Sequence, residues 1–361
     1  MIVLFDVLIL LLCLVGMQIR KDGFFQDYIG KSQCNAVKGA CIIFVFASHI
    51  LGYMVSDGYS LVGCGNMAHL VVNKVIGQLC VVMFLFYSGF GVAESIKAKG
   101  KEYIKSMPRR RVLTTLLNFA VAVVVFVLAN LLMGVKMSRS QVVLSVIGWD
   151  SVGNSNWYIF VILLCYLIAW ASGRTGVGYA VLIGCAVAIV SLSFAKPPHW
   201  YNTIFAFPAG MMYARHRIRI EEFNRRHYVI ALCSLLALFA ALRGFLILWG
   251  IDPLGIIHNI LGVVFAGIVL LVTMKVKFTN ALLIWFGVNL FPIYIYQRLP
   301  MLVFAKSAAP GFIARHSLLY MVSCFVLTLV IAYLYRYWRI SDAVLGKWAL
   351  TLSGENKRFE P

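Results

Sequence analysis

The chain has 361 residues, 62% of them hydrophobic and 12% charged, with 32 Lys and Arg against 13 Asp and Glu for a net charge of +19. Soluble domains are nearer half apolar and a quarter charged, so no water-facing surface would hide this much apolar side chain; an ordinary cytosolic enzyme, a disordered chain and a secreted disulfide scaffold are excluded. What remains is an all-α fold, a polytopic transmembrane helical bundle, whose excess of basic residues marks either membrane topology or a nucleic-acid partner.

Apolar runs long enough for a bilayer core of about 30 Å fall at roughly 2–18, 36–55, 75–95, 112–133, 157–171, 177–195, 201–214, 228–249, 256–274, 282–304 and 317–338. The first is interrupted by Asp6 and followed, not preceded, by basic residues (Arg20, Lys21), so residues 1–20 read as a retained transmembrane helix rather than a signal peptide. The 201–214 run is short and contains Pro208 and Gly210, which suits a kinked or half-buried helix. Seven of the nine cysteines sit inside apolar runs and none forms a C-x-x-C pair, so they read as small packing residues, and no metal site is expected. Residues 33–338 form one membrane domain of about ten helices, and 339–361 a cytoplasmic tail.

With the first connecting segment placed in the cytoplasm, that side collects 24 Lys and Arg and the other side 6. This division follows the positive-inside rule, with the N-terminus outside and the C-terminus in the cytoplasm. The charge is thereby explained without nucleic acid. Anionic lipid headgroups or a phosphorylated cytoplasmic ligand become the expected ionic partners.

Polar residues inside a bilayer are costly and point to function. His49, in KGACIIFVFASHILGYM, lies eleven residues after Lys38, about 16 Å along a helix. Imidazole is the common side chain able to take and return a proton near neutral pH. The basic stretch Lys97, Lys99, Lys101, Lys105, Arg109, Arg110 and Arg111, expected as a short loop, could grip phosphates or simply anchor the chain at the membrane surface. Arg243 and Arg298 lie within apolar segments, the latter with Tyr294, Tyr296 and Gln297, where they could hold a sugar or snorkel to the interface. Trp157 and Tyr158 read as an interfacial aromatic anchor. Ser88-Gly89-Phe90-Gly91 offers small residues for close helix approach.

In order and content these fragments resemble acyltransferase family 3, the bacterial membrane O-acyltransferases of surface glycans, over roughly 33–338. Lys38, ten residues and His49 match that family's Arg-x10-His. FLFYSGFGV matches its phenylalanine-rich helix, YIKSMPRRRVLTTLL its basic R-x-x-R stretch, and NWYIFVILLCYL, FAFPAGMMYARHR and FGVNLFPIYIYQR its later helices. Lys38 stands where the family usually has Arg, Thr114 replaces the second arginine of R-x-x-R after Arg111, and Pro292 and Gln297 depart from the late Ser-x-x-Ile-Tyr-His pattern.

The resemblance implies transfer of an acyl group, most often acetyl, to a hydroxyl of a cell-surface or lipid-linked glycan at the cytoplasmic (inner) membrane. The donor would be cytoplasmic acyl-CoA, acetyl-CoA above all, used as substrate with no bound cofactor. His49 would be the general base. Lys38 and Arg111, with Lys105, Arg109 and Arg110, would hold the donor, and Arg298, Arg243, Tyr294, Tyr296, Gln297 and Trp157 would line the acceptor side. The alternative class is a transporter or flippase for lipid-linked oligosaccharide, which would also use intramembrane Arg and His but would not release CoA thiol.

Overall fold

The computed structural model describes residues 2–173 and 178–339. The chain runs α1 (Val3–Leu14), β1 (Met17–Ile19), α2 (Lys31–Ser56), α3 (Cys64–Ile76) and α4 (Leu79–Met107), then a π-helical turn (Pro108–Leu113) into α5 (Thr114–Leu132). It continues through α6 (Arg139–Val146), α7 (Trp157–Ser172), α8 (Tyr179–Ser193), α9 (Ala206–Arg226), α10 (Tyr228–Trp249), α11 (Ile256–Lys275) and β2 (Val276–Phe278). The last elements are α12 (Ala281–Val288), α13 (Leu290–Tyr296), α14 (Arg298–Ser307), α15 (Phe312–Arg315) and α16 (Ser317–Leu334). This is the all-α membrane bundle expected from composition. Lys31–Ser56, Cys64–Leu132, Tyr228–Trp249, Pro253–Lys275 and Ser317–Tyr337 are long and apolar enough to cross a bilayer. Of the expected 339–361 tail, all but Arg339 lies outside the described residues.

Two helix pairs set the frame, and each is built around reciprocal glycines. In α2 and α12, a Cβ added at Gly39 would sit 1.9 Å from the Leu283 carbonyl oxygen, and one at Gly287 1.8 Å from that of Asn35. In α4 and α9, Gly89 and Gly210 face the Phe207 and Phe86 carbonyls at 2.0 Å each. Only glycine lets backbones approach this closely, and in lipid such packing is what drives helix association. At the other extreme, α10 buries none of its side chains and shows Val229, Ile230, Leu236 and Leu248 on its surface, an apolar face for lipid tails.

Prolines explain where helices begin. Pro208, Pro292 and Pro300 are each the third residue of their helix (α9, α13, α14), a first-turn position where the missing N–H costs nothing. The expected 282–304 segment is therefore three helices rather than one: Pro292 and Pro300 force restarts, leaving Asn289 and Gln297 between them. For the same reason Pro208 does not kink its segment. That helix instead continues through the basic residues to Arg226 and departs from helical geometry at His216 (φ −104°, ψ 16°).

The basic 97–111 stretch, expected as a loop, is likewise helical to Met107, with a break at Gly100 (φ 57°, ψ −140°). Lys, Arg and Glu are good helix formers, and exposure does not interrupt the backbone ladder.

The N-terminal addition is docked onto the bundle. Its helix is only twelve residues, about 18 Å, shorter than the 2–18 segment and than a bilayer core. Asp6 meets the fully buried His69 of α3 at 2.9 Å. Below it, β1 pairs antiparallel with β2, Met17 opposite Phe278 and Ile19 opposite Val276. Arg20, Lys21, Lys275 and Lys277 gather at this clasp, and Lys277 donates to Asp27 at 2.6 Å, which holds that carboxyl below its usual range. We refer to it as the basic end.

Candidate functional site

His49 lies on α2, five turns beyond Lys31 at the basic end. Its ring faces Tyr294 of α13, with centroids 6.4 Å apart, and is within electrostatic reach of Arg298 at the start of α14. The Arg298 guanidinium caps the ring of Tyr53, one turn beyond His49, at 5.7 Å. Tyr294 and Gln297 are buried and His49 and Arg298 half-buried, and His49 Nδ1, the Tyr294 hydroxyl, Arg298 Nε and Gln297 Oε1 are enclosed without a hydrogen-bond partner. An orphaned buried polar atom costs about 1–3 kcal/mol, and those of His49, Tyr294 and Arg298 lie on neighbouring side chains, an arrangement suited to a polar ligand.

Tyr294 also packs edge-on against Tyr158 of α7, centroids 5.1 Å apart, and Tyr158 lines a second space. This cavity of about 200 Å³ is enclosed by Lys38, Tyr87, Ser88, Arg111 and Leu290, among others. Arg111 is carried in by the π-helical turn. Its Nε donates to the Tyr103 hydroxyl at 3.1 Å, and its guanidinium lies 5.9 Å from the Tyr166 ring centre. Ser88 lies within side-chain reach of the Tyr158 and Tyr166 hydroxyls. The Tyr87 hydroxyl is another buried atom without a partner. Tyr158 and Tyr294 thus form a tyrosine wall between a cationic cavity and the polar side chains around His49.

The sequence-predicted residues divide accordingly. Lys38 and Arg111 come together in the cationic cavity, and His49, Tyr294 and Arg298 beside one another, while Gln297 donates to the Tyr294 carbonyl at 3.3 Å. Lys105 and Arg110 are exposed at the surface, and Arg109 keeps a buried, unpartnered Nε. Arg243 sits on α10, whose main partners are α11 and α9. Tyr296 points away from His49: its hydroxyl accepts from the Trp338 indole at 3.3 Å, and its ring packs on Tyr335. Residues two apart on a helix point about 200° apart, which is why Tyr294 and Tyr296 face different neighbours.

Trp157 belongs to a cluster at the end opposite the clasp. It meets His199 at 5.7 Å, and next to it Lys196 Nζ stands 4.0 Å from the Trp149 ring and 4.4 Å from that of Trp200. Burial pushes the Lys196 and His199 pKa values down, so His199 is neutral at neutral pH.

Sequence reading missed Tyr87, Ser88, Tyr158 and Tyr166 as a set. Four hydroxyls on two helices carry no spacing signal, and only the α4–α7 packing unites them. Among the described residues, no group of three or more His, Cys, Asp or Glu is arranged to hold a metal ion.

No curated protein and no solved structure matches the chain significantly. The acyltransferase family 3 model, described as an acyltransferase domain, matches residues 32–337, which include Lys38, His49, Arg111, Tyr294 and Arg298 and leave out the first 31 residues and the tail. The chain is a member of acyltransferase family 3, a multi-pass membrane acyltransferase by family.

Proposed function

We propose that the protein moves an acyl group, acetyl in the simplest case, from acyl-CoA arriving at the basic end to a hydroxyl of a glycan or lipid-linked saccharide arriving from the other. The positive-inside rule places the basic end in the cytoplasm, where CoA thioesters reside, and the opposite end outside the inner membrane.

The observation that carries the reading is a cationic cavity with Lys38 and Arg111 set across the Tyr158–Tyr294 contact from the unpartnered His49, Tyr294 and Arg298 atoms. Lys38 and Arg111 suit donor phosphate or pantetheine oxygens by charge-assisted hydrogen bonding. His49 takes the acceptor hydroxyl proton as its oxygen attacks the thioester carbonyl. The C–S bond then breaks, and the CoA thiolate leaves and is protonated. Tyr294 and Arg298 are placed to hold the negative charge that develops on the carbonyl oxygen, where preorganised donors count most. The Trp149, Trp157 and Trp200 rings with Lys196 supply flat apolar faces and a cation of the kind that sugars and anionic glycans use.

The test is His49→Gln, which keeps size and polarity but cannot act as a base near neutral pH. A general base contributes about 10²–10⁴-fold, so CoA-thiol release in the presence of acceptor should fall by that factor, and surface glycan should lose one acyl increment by mass. A His49→Gln protein that inserts normally and acylates at the wild-type rate ends the proposal. Transport of acceptor without any CoA-thiol release from the wild-type protein favours the flippase alternative.

A further inference from the structure

Beyond the glycine crossing, towards the basic end, α4 and α9 enclose a cavity of about 630 Å³ at the point where α9 bends at His216. Its charged lining is Lys97, Arg215, Arg217 and Arg219 against Glu94 and Glu221. Glu221 is already engaged: it accepts from Arg217 Nε at 2.5 Å and from the Tyr28 hydroxyl at 2.7 Å. Setting that pair aside, Lys97 and Arg219 face the carboxylate of Glu94, and an anion is the complementary guest.

His216 and Arg219 also line a second cavity, of about 640 Å³, which is otherwise mostly apolar. It lies between α9, α10 and α11, with walls that include Phe86, Leu235, Val263 and Leu271. Val263 to Leu271 is eight residues of α11, a depth of about 12 Å, close to one leaflet of hydrocarbon, about 15 Å. Because α10 buries no side chain, this slot is walled on one side by a helix that itself faces lipid.

A cationic cavity and an apolar slot that share His216 and Arg219 in their linings match one amphiphile. We propose that this is a binding site for an anionic glycerophospholipid, its phosphate held by Lys97 and Arg219 and an acyl chain lying in the α9–α11 slot. A free phosphate or nucleotide would use only the cationic cavity, and a neutral lipid only the slot. Basic pockets between helices on the cytoplasmic side are a known way to hold such headgroups. The site is separate from the Lys38–Arg111 cavity and does not depend on the acyl-transfer reading.

The full chain, purified in detergent and equilibrated with phosphatidylglycerol or phosphatidylcholine, is examined by native mass spectrometry for retained lipid. Phosphatidylglycerol should be retained in preference, and millimolar inorganic phosphate or coenzyme A should not displace it. At roughly tenfold or less per cation near a lipid surface, Lys97→Gln with Arg219→Gln should weaken retention by about thirtyfold. Gly267→Phe, which fills the slot and leaves every cation in place, should also abolish retention. Lys97 is exposed on α4, so Lys97→Gln alone provides a variant whose folding is not at issue, with about a fivefold loss expected. Equal retention of the two lipids by the wild-type protein, or no loss with Lys97→Gln and the double variant, overturns the proposal. Displacement of phosphatidylglycerol by coenzyme A reassigns the chamber to the donor and overturns it equally.

Discussion

Two glycines on the helix that carries His49 give a matched pair of perturbations. Gly39 of α2 lies against the α12 backbone: a Cβ there would be 1.9 Å from the Leu283 carbonyl oxygen and 2.9 Å from its carbon. Gly52, thirteen residues on, has nothing within 4 Å of the same added atom. Real Cβ contacts essentially never fall under 3.0 Å, so Gly39→Ala requires α2 and α12 to separate by about 1.1 Å. Overpacking of this size costs about 1–3 kcal/mol.

The displacement also reaches chemistry. α12 leads through Asn289 into α13, and α13 carries Tyr294 against His49. Misplacement of reacting groups by about 1 Å costs on the order of 10²-fold in rate. Gly52→Ala removes only backbone freedom and should stabilise the helix by about 0.5–1 kcal/mol. The assay is thermal unfolding in one detergent alongside CoA-thiol release with acceptor. The expected outcome is a lowered Tm and about a hundredfold slower turnover for Gly39→Ala, and a Tm equal to or above wild type with unchanged turnover for Gly52→Ala. If Gly39→Ala unfolds and turns over like Gly52→Ala, the close crossing does not position the site and the reasoning fails.

Two further outcomes follow from single residues. Arg111→Lys keeps the charge in the Lys38 cavity but loses the Tyr103 hydrogen bond and the Tyr166 ring contact; at about 1–2 kcal/mol together, KM for acyl-CoA should rise about tenfold with kcat much less affected, and an unchanged KM would refute the donor role. At the far end of α2, Asp57 accepts the backbone N–H groups of Gly311, Ile313 and Ala314, and these bonds, that of Gly311 foremost, lower its pKa from 3.8. A depressed folded-state pKa means that the stabilisation is present above the unfolded value and lost as pH falls through the folded one. Hydrogen-exchange protection of the Gly311–Ala314 amides should therefore hold at neutral pH and collapse in acid below that value, whereas in Asp57→Asn it should be weak and insensitive to pH; an acid-insensitive wild type contradicts the assignment.

The membrane bundle was legible because hydropathy is a one-dimensional property, and the apolar runs from 36–55 to 317–338 contain most of the described helices. Helix ends were less legible. Hydropathy stops where charge starts, but the backbone ladder does not, so α4 and α9 run on through Lys101 and Arg226. Conversely, the continuous apolar run 282–304 hides three helices, since apolar character is silent about proline restarts. The three-residue strands β1 and β2 were invisible because each is meaningful only beside the other.

Within the site, Lys38, His49 and Arg298 stood out as polar residues in apolar surroundings, while the tyrosine wall did not, since tyrosine is common at any helix surface. Arg243 and Tyr296 carried the same kind of signal as their neighbours; only the turn of the helix and its packing partner separate them from the His49 group.

The clasp between β1 and β2 sets an order of assembly. Met17 pairs with Phe278, so the first helix leaves the ribosome long before its lower attachment exists. Its earlier holdfast is His69, which reaches Asp6 as soon as α3 follows. Until then Asp6 has no imidazole beside it, and a twelve-residue helix with a carboxylate is a poor resident of the bilayer. The N-terminal helix is therefore first a tethered segment and only later a bundle member, closed into place by a strand made about 260 residues after its own.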